Sequence, residues 1–257
     1  MLAFSPDGRV LATASRKAIT LWEVATGKEV LRIPRHENFR SSFGESFISC
    51  LVFSPDGRKL ATGLADTSIL VWDLNPGIDR LEPLKRNLDP KEMDKLWTDL
   101  AREDASVAYR AIWSMAAEPE KTVPFISERL KPVLQDSKRV SQLIADLDSS
   151  QFAVREAAAK ELAMLGEQVE PNFREVLAKR PSTEVRKRLE ALLATPKPIP
   201  TGETLRALRA IRVLEHIGNP DAQQVLRTVA TGTPGARLTQ KATAALERLE
   251  RKSASPR

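Results

Sequence analysis

The sequence predicts a chain in two parts, antiparallel β-sheet repeats followed by a run of short packed helices. Two observations carry this reading. The segment Phe4-Ser5-Pro6-Asp7-Gly8 returns as Phe53-Ser54-Pro55-Asp56-Gly57, each copy continuing through a Leu-Ala-Thr run to a Trp-acid pair, Trp22-Glu23 and Trp72-Asp73. From about Asp89 onward the apolar period changes from two to near 3.6.

Residues 10–15, 18–24 and 29–33 are strand-like in the first copy, as are residues 47–53, 59–64 and 69–74 in the second. In each Ser-Pro-Asp-Gly, proline presets φ, aspartate bonds nearby backbone and glycine takes the positive φ. Each copy therefore contains a hairpin, and the two hairpins stand at the same place in their repeats.

Phe-Ser-Pro-Asp-Gly, then Leu-Ala-Thr, then Trp-Asp resembles the WD-repeat β-propeller family in its bacterial form, where each repeat makes one four-stranded blade. The resemblance implies a structural hydrogen-bonded tetrad of His, Ser or Thr, Asp and Trp. Its matching positions in the second copy are His36, Thr62, Asp66 and Trp72. The sequence departs from the family at Arg35-His36, where Gly-His is usual, and the extra residues fall in a loop over 37–46. The first copy lacks the tetrad aspartate, with Arg16-Lys17 near its place, and is expected to be the less regular blade.

Met1-Leu2-Ala3-Phe4 already lies inside the first strand of a repeat, and no fourth strand is legible after Leu74. Two blades would leave apolar faces open, because each repeat buries its hydrophobic surface against its neighbours. The expectation is that this is the C-terminal part of a larger WD-repeat protein. The alternative is a two-blade chain that self-associates through its open blade edges.

Asp89-Pro90 is a helix start, and two further helices run through residues 107–113 and from Pro119 to Leu130. Beyond these, Val154-Arg155 recurs as Val185-Arg186, one helix ends at Leu165-Gly166, and another carries the stripe Leu205, Leu208, Ile211, Leu214 and Ile217. Short helices ended by Gly or Pro resemble HEAT-type repeats, which implies an α-solenoid. The whole order also resembles the tails of large, uncharacterised WD-repeat proteins of planctomycete-type bacteria. The expected domains are a partial β-propeller over 1–77, a linker over 78–88, a helical hairpin or adapter over 89–134, a HEAT-like solenoid over 135–250, and a disordered tail over 251–257.

Composition narrows the function. Charged residues make up 29% of the chain, hydrophobic ones 42%, and the net charge is +6, a mild basic surplus that permits an anionic partner without requiring one. No apolar run approaches bilayer-spanning length, and no signal peptide is legible, which assigns no compartment. Cys50 is the one cysteine, in an apolar run, and reads as a small packing residue. There is no Gly-x-Ser-x-Gly, no phosphate-cradling glycine loop and no histidine-carboxylate cluster, so no catalytic, cofactor or metal residues are assigned. Trp97, Tyr109 and Trp113 read as packing residues.

The function read from this is a non-enzymatic protein-interaction scaffold, working through a propeller rim and the concave face of a helical repeat. The loop with Arg35, Glu37, Asn38, Phe39, Arg40 and Phe43 is the candidate contact with a protein partner. The alternative is nucleic-acid binding by a basic solenoid ridge of Arg186, Lys187, Arg188, Arg206, Arg209 and Arg212. Only 5% of residues are aromatic, which leaves few platforms for stacking bases.

Overall fold

The structure is a computed structural model that describes residues 1–15, 18–34, 40–41, 44–45, 48–74, 88–195 and 199–254. It divides into two compact units. The first is Met1–Pro124 with Ile199–Ile217, and the second is Phe125–Pro198 with Gly218–Arg257.

The first unit opens with a four-stranded antiparallel sheet, β1 (Leu2–Phe4), β2 (Val10–Ala14), β3 (Ala18–Glu23) and β4 (Lys28–Pro34), in that order. A short hairpin, β5 (Arg40–Ser41) and β6 (Gly44–Glu45), precedes a second antiparallel sheet of β7 (Ile48–Phe53), β8 (Lys59–Leu64) and β9 (Ile69–Asp73).

The repeated turn explains the repeated hairpin. In the first copy Ser5 Oγ donates to Asp7 Oδ1 and accepts from Val10 N, while Asp7 Oδ1 also accepts from Arg9 N. The second copy repeats every bond with Ser54, Asp56, Arg58 and Lys59. Gly8 and Gly57 take φ of 67° and 69°, which a side chain would resist. Proline, serine, aspartate and glycine thus each have a distinct part in closing the turn.

The first copy has four paired strands, and the second has three among the described residues. Each copy carries one shift in strand register, at Leu21/Trp22 and at Ile48/Cys50, and Arg16-Lys17 lie outside the described residues. The turn lacking an aspartate is closed by Ser15, whose Oγ donates to Ala18 O and accepts from Ala18 N. In the second copy Asp66 Oδ1 accepts from Ser68 N and Oγ. A serine substitutes for the acid at the cost of one residue of turn length.

The two sheets pack face to face. Val10, Ala12, Ile19, Leu21 and Val30 of the first bury against Phe53 and Leu60 of the second, with Leu74, Ala105, Tyr109 and Trp113 completing the cluster. Three helices and part of a fourth complete the unit. α1 (Pro90–Asp99) starts on a capping box between Asp89 and Glu92, and α2 (Ala105–Ala116) is capped by Asp104. The first half of α3 (Pro119–Arg129) follows, and α8 (Gly202–Ile217) joins from far downstream.

The second unit holds α4 (Ser137–Asp146), α5 (Phe152–Leu165), α6 (Glu170–Ala178), α7 (Thr183–Ala194), α9 (Pro220–Ala230) and α10 (Arg237–Ala254), with the end of α3. Val140, Leu143, Leu147, Leu162, Phe173 and Leu189 form the core of α4 to α7. Gly166 ends α5 with φ 60°, as its place after Leu165 predicts. Asp148 accepts from Ser182 Oγ at 2.7 Å.

The expected boundaries shift in three places. The second unit begins at Phe125, inside α3, rather than at 135, and residues 199–217 leave the helical region for the first unit. Residues 251–254 continue α10 rather than forming a tail. Of the expected linker over 78–88, residues 78–87 lie outside the described residues.

Candidate interaction surfaces

Helix α8 is the element that sequence reading misplaced most. Arg206, Arg209 and Arg212 were expected to share a solvent-facing ridge. Arg209 is instead 3% exposed and Arg212 is buried. The Arg209 guanidinium donates to both carboxylate oxygens of Glu23, at 2.8 and 2.6 Å, and to the carbonyls of Leu100 and Arg102. Burial opposes ionisation of Glu23, but the Arg209 bonds outweigh it and hold the carboxyl below its usual value. Arg212 lies over the Tyr109 ring, 5.4 Å from its centroid. Arg206 stays nearer the surface, paired with Glu203 and 5.5 Å from the Trp97 ring centroid. In the second unit Arg188 bonds Glu156 and Glu184, while Arg186 and Lys187 are exposed.

The repeated turns also hold this helix. Arg9 and Arg58 are the same residue of the two repeats, each following Ser-Pro-Asp-Gly. Arg9 pairs with Glu215 at 2.8 Å, and Arg58 donates to the carbonyl of His216 at 3.2 Å. His216 stacks on Trp113 with ring centroids 4.5 Å apart, and the Arg58 guanidinium lies 5.9 Å from the Trp113 ring centroid. Tyr109 crosses Trp113 edge to face and donates its hydroxyl to the carbonyl of Leu74. Trp113 and Tyr109 are packing residues, as expected.

Burial and the Arg212 charge push His216 down to about 3, so it is neutral at ordinary pH. Its Nε2 is buried without a partner. Asp7 is lowered as well, although burial acts on it in the opposite direction. Desolvation would raise its carboxyl, but Arg212, Arg9 and the turn hydrogen bonds bring it to about 2.

Of the expected blade tetrad, one bond falls among the described residues. Trp72 Nε1 donates to Thr62 Oγ1 at 3.1 Å, and Asp66 sits in the neighbouring turn, while His36 lies outside the described residues. The first copy makes the same indole bond, Trp22 Nε1 to Thr13 Oγ1 at 2.8 Å. Of the candidate loop, Arg35, Glu37, Asn38, Phe39 and Phe43 lie outside the described residues, and Arg40 is placed only as part of β5.

With this geometry in place, comparison with known proteins is decisive for the sheets. Residues 2–23 and 36–73 match the family described as WD domain, G-beta repeat. The sheet segment is similar to WD repeats. This chain is 30% identical over 71 residues to intraflagellar transport protein 122 homolog of Danio rerio, covering 28% of this chain and 5% of that protein. It is 32% identical over 81 residues to WD repeat-containing protein VIP3 of Arabidopsis thaliana, covering 29% of this chain and 25% of that one. Periodic tryptophan protein 2 homolog of Neurospora crassa is 26% identical over 121 residues, 45% of this chain and 12% of that protein. The matches span no more than a quarter of the length of these curated relatives.

The blades are not sealed. Cys50, read as a packing residue, is exposed, because it lies on the outer face of the second blade, where no further blade covers it among the described residues. Val52, Ile69 and Val71 are exposed on that face, as are Leu2 and Phe4 on the outer face of the first blade. Among the described residues no three His, Cys, Asp or Glu side chains gather to hold a metal ion. Among the described residues no helix is long and apolar enough to cross a membrane.

Proposed function

We propose that this chain is a non-enzymatic protein-interaction scaffold that presents WD-type blades and a HEAT-like helical surface to protein partners. The observation that carries the reading is the pair of WD repeats with apolar side chains exposed on their outer faces. Large uncovered apolar patches mark protein contact sites, and repeat folds bind through many ridge and loop side chains rather than one pocket. The loop over 35–46, with Arg35, Glu37, Asn38, Phe39, Arg40 and Phe43, is the proposed contact point on the blade rim.

Nucleic-acid binding by the helical ridge is the weaker reading. Two of its arginines are buried and two more are bonded to glutamates, which leaves Arg186 and Lys187 as its exposed cations. Binding to duplex DNA that falls steeply with salt would restore that reading.

The test is affinity purification of the full chain from its own cells, beside a variant carrying F39S and F43S. The scaffold reading expects a partner in fixed stoichiometry that the variant loses while its tryptophan fluorescence stays unchanged. Recovery of the chain alone under gentle crosslinking would overturn it, and an undiminished partner in the variant would remove the loop.

A further inference from the structure

The two blades serve as controls for each other. Phe4 and Phe53 are the same residue of the repeat, yet Phe4 is 58% exposed and Phe53 only 9%. On the opposite face Ile19 and Leu21 are fully buried, whereas their counterparts Ile69 and Val71 are 71% and 63% exposed. The difference comes from neighbours, not residue type. The first blade's inner face, with Val10, Ala12, Ile19 and Leu21, packs on the second blade's inner face, with Phe53 and Leu60. The strand registers assign the remaining residues to the outer faces. Phe4 pairs with Leu11 and Leu11 with Trp22, while Val52 pairs with Ala61 and Ala61 with Val71.

The open face of the first blade (Leu2, Phe4, Leu11, Trp22) is therefore the counterpart of the second blade's buried face. The open face of the second blade (Val52, Ile69, Val71) is the counterpart of the first blade's buried face. The chain carries both halves of an interface that it already forms once internally. Lys59, where the first blade has Val10, stands opposite Asp73 in the register, so the charges on this face form a facing pair beside an apolar centre.

We propose that a second copy of this chain covers these faces, with the first blade of one copy packed on the second blade of the next. Such a contact is heterologous, so it either closes into a ring or runs on as a filament. This goes beyond capture of a different protein and does not depend on the loop over 35–46.

The experiment is sedimentation velocity and native mass spectrometry on the full chain, on Phe4→Glu and on Val71→Arg. Wild type is expected to form oligomers, and each variant alone is expected to stay monomeric, because the contact needs both faces and one is spoiled in every copy. Each variant retains the face the other has lost, so an equimolar mixture gives dimers that pair the Val71→Arg copy's first blade with the Phe4→Glu copy's second. Both positions are exposed, and unchanged tryptophan fluorescence confirms folding. The milder Phe4→Ser and Val71→Thr serve if a charged variant misfolds. A wild-type chain that stays monomeric at every concentration overturns the proposal. So does a variant that assembles like wild type, or a mixture that fails to pair.

Discussion

Arg209 and Glu23 stand 186 positions apart in sequence and form a two-pronged ion pair within one unit, both largely withdrawn from solvent. The pair fixes a helix from the far end of the chain to the end of the strand that carries the first Trp-acid motif. Two more backbone carbonyls accept from the same guanidinium, so removing it would orphan a buried carboxylate and two acceptors together.

Arg209→Ala is therefore expected to destabilise the first unit by about 3–5 kcal/mol, the usual cost of breaking a buried pair from one side. All four tryptophans, Trp22, Trp72, Trp97 and Trp113, belong to this unit, so tryptophan fluorescence in urea reports on it. An unshifted midpoint would mean that α8 is held by its apolar residues alone. The double variant Arg209→Met with Glu23→Gln leaves no unpaired charge and is expected to lose less than Arg209→Ala.

Stability should fall on acidification in two stages. His216 is depressed to about 3, so the folded state resists a proton that the unfolded chain takes up near the ordinary histidine value of 6.5. Its contribution is full above 6.5 and is lost as pH falls toward 3, with a slope of up to about 1.4 kcal/mol per pH unit for one proton. Asp7, lowered from 3.8 to about 2, adds a second loss between those values. His216→Phe keeps the stack on Trp113 and should flatten the upper stage only. Urea midpoints measured from pH 7 to pH 4 check this, and a His216→Phe profile parallel to wild type would refute it.

The repeat was legible because turn chemistry is local. Pro6, Asp7 and Gly8 each act within a few residues, and so do Pro55, Asp56 and Gly57. The place of α8 was not legible for the opposite reason. Arg206 does pair locally, with Glu203, but Arg209 and Glu215 find partners in the blades, which helical spacing cannot reveal. One signal was available. Ala207, Leu208, Ala210, Ile211, Val213 and Leu214 leave only arginines to interrupt the apolar residues of this stretch, and a stretch apolar on most sides tends to be buried. The exposure of Cys50 was hidden for a related reason, since a strand's pattern says which face is apolar but not whether anything covers it.

Thr67 has φ 69°, a left-handed conformation that costs a β-branched residue about 1–2 kcal/mol. It lies between Asp66 and Ser68, whose bonds close the turn from β8 to β9. Thr67→Gly is expected to raise stability by about 1 kcal/mol, offset in part by the greater freedom of glycine in the unfolded chain. A lower urea midpoint would show that the threonine side chain contributes more than its backbone conformation costs.

Gly63 and Cys50 make the sharpest test of packing inside a blade. They face each other across β7 and β8, and a Cβ on Gly63 would come within 2.6 Å of Cys50 Sγ. Ser49 Oγ, at 3.5 Å, would be an ordinary contact. Gly63→Ala alone should cost about 1–3 kcal/mol, as overpacking does. Cys50→Ala alone should cost little, because that side chain is exposed. Joined, the two should recover most of the loss, since the sulfur that collides is gone. A double-mutant cycle in urea measures the coupling directly. Simple additivity would mean that the glycine is required for its backbone rather than for the space beside Cys50.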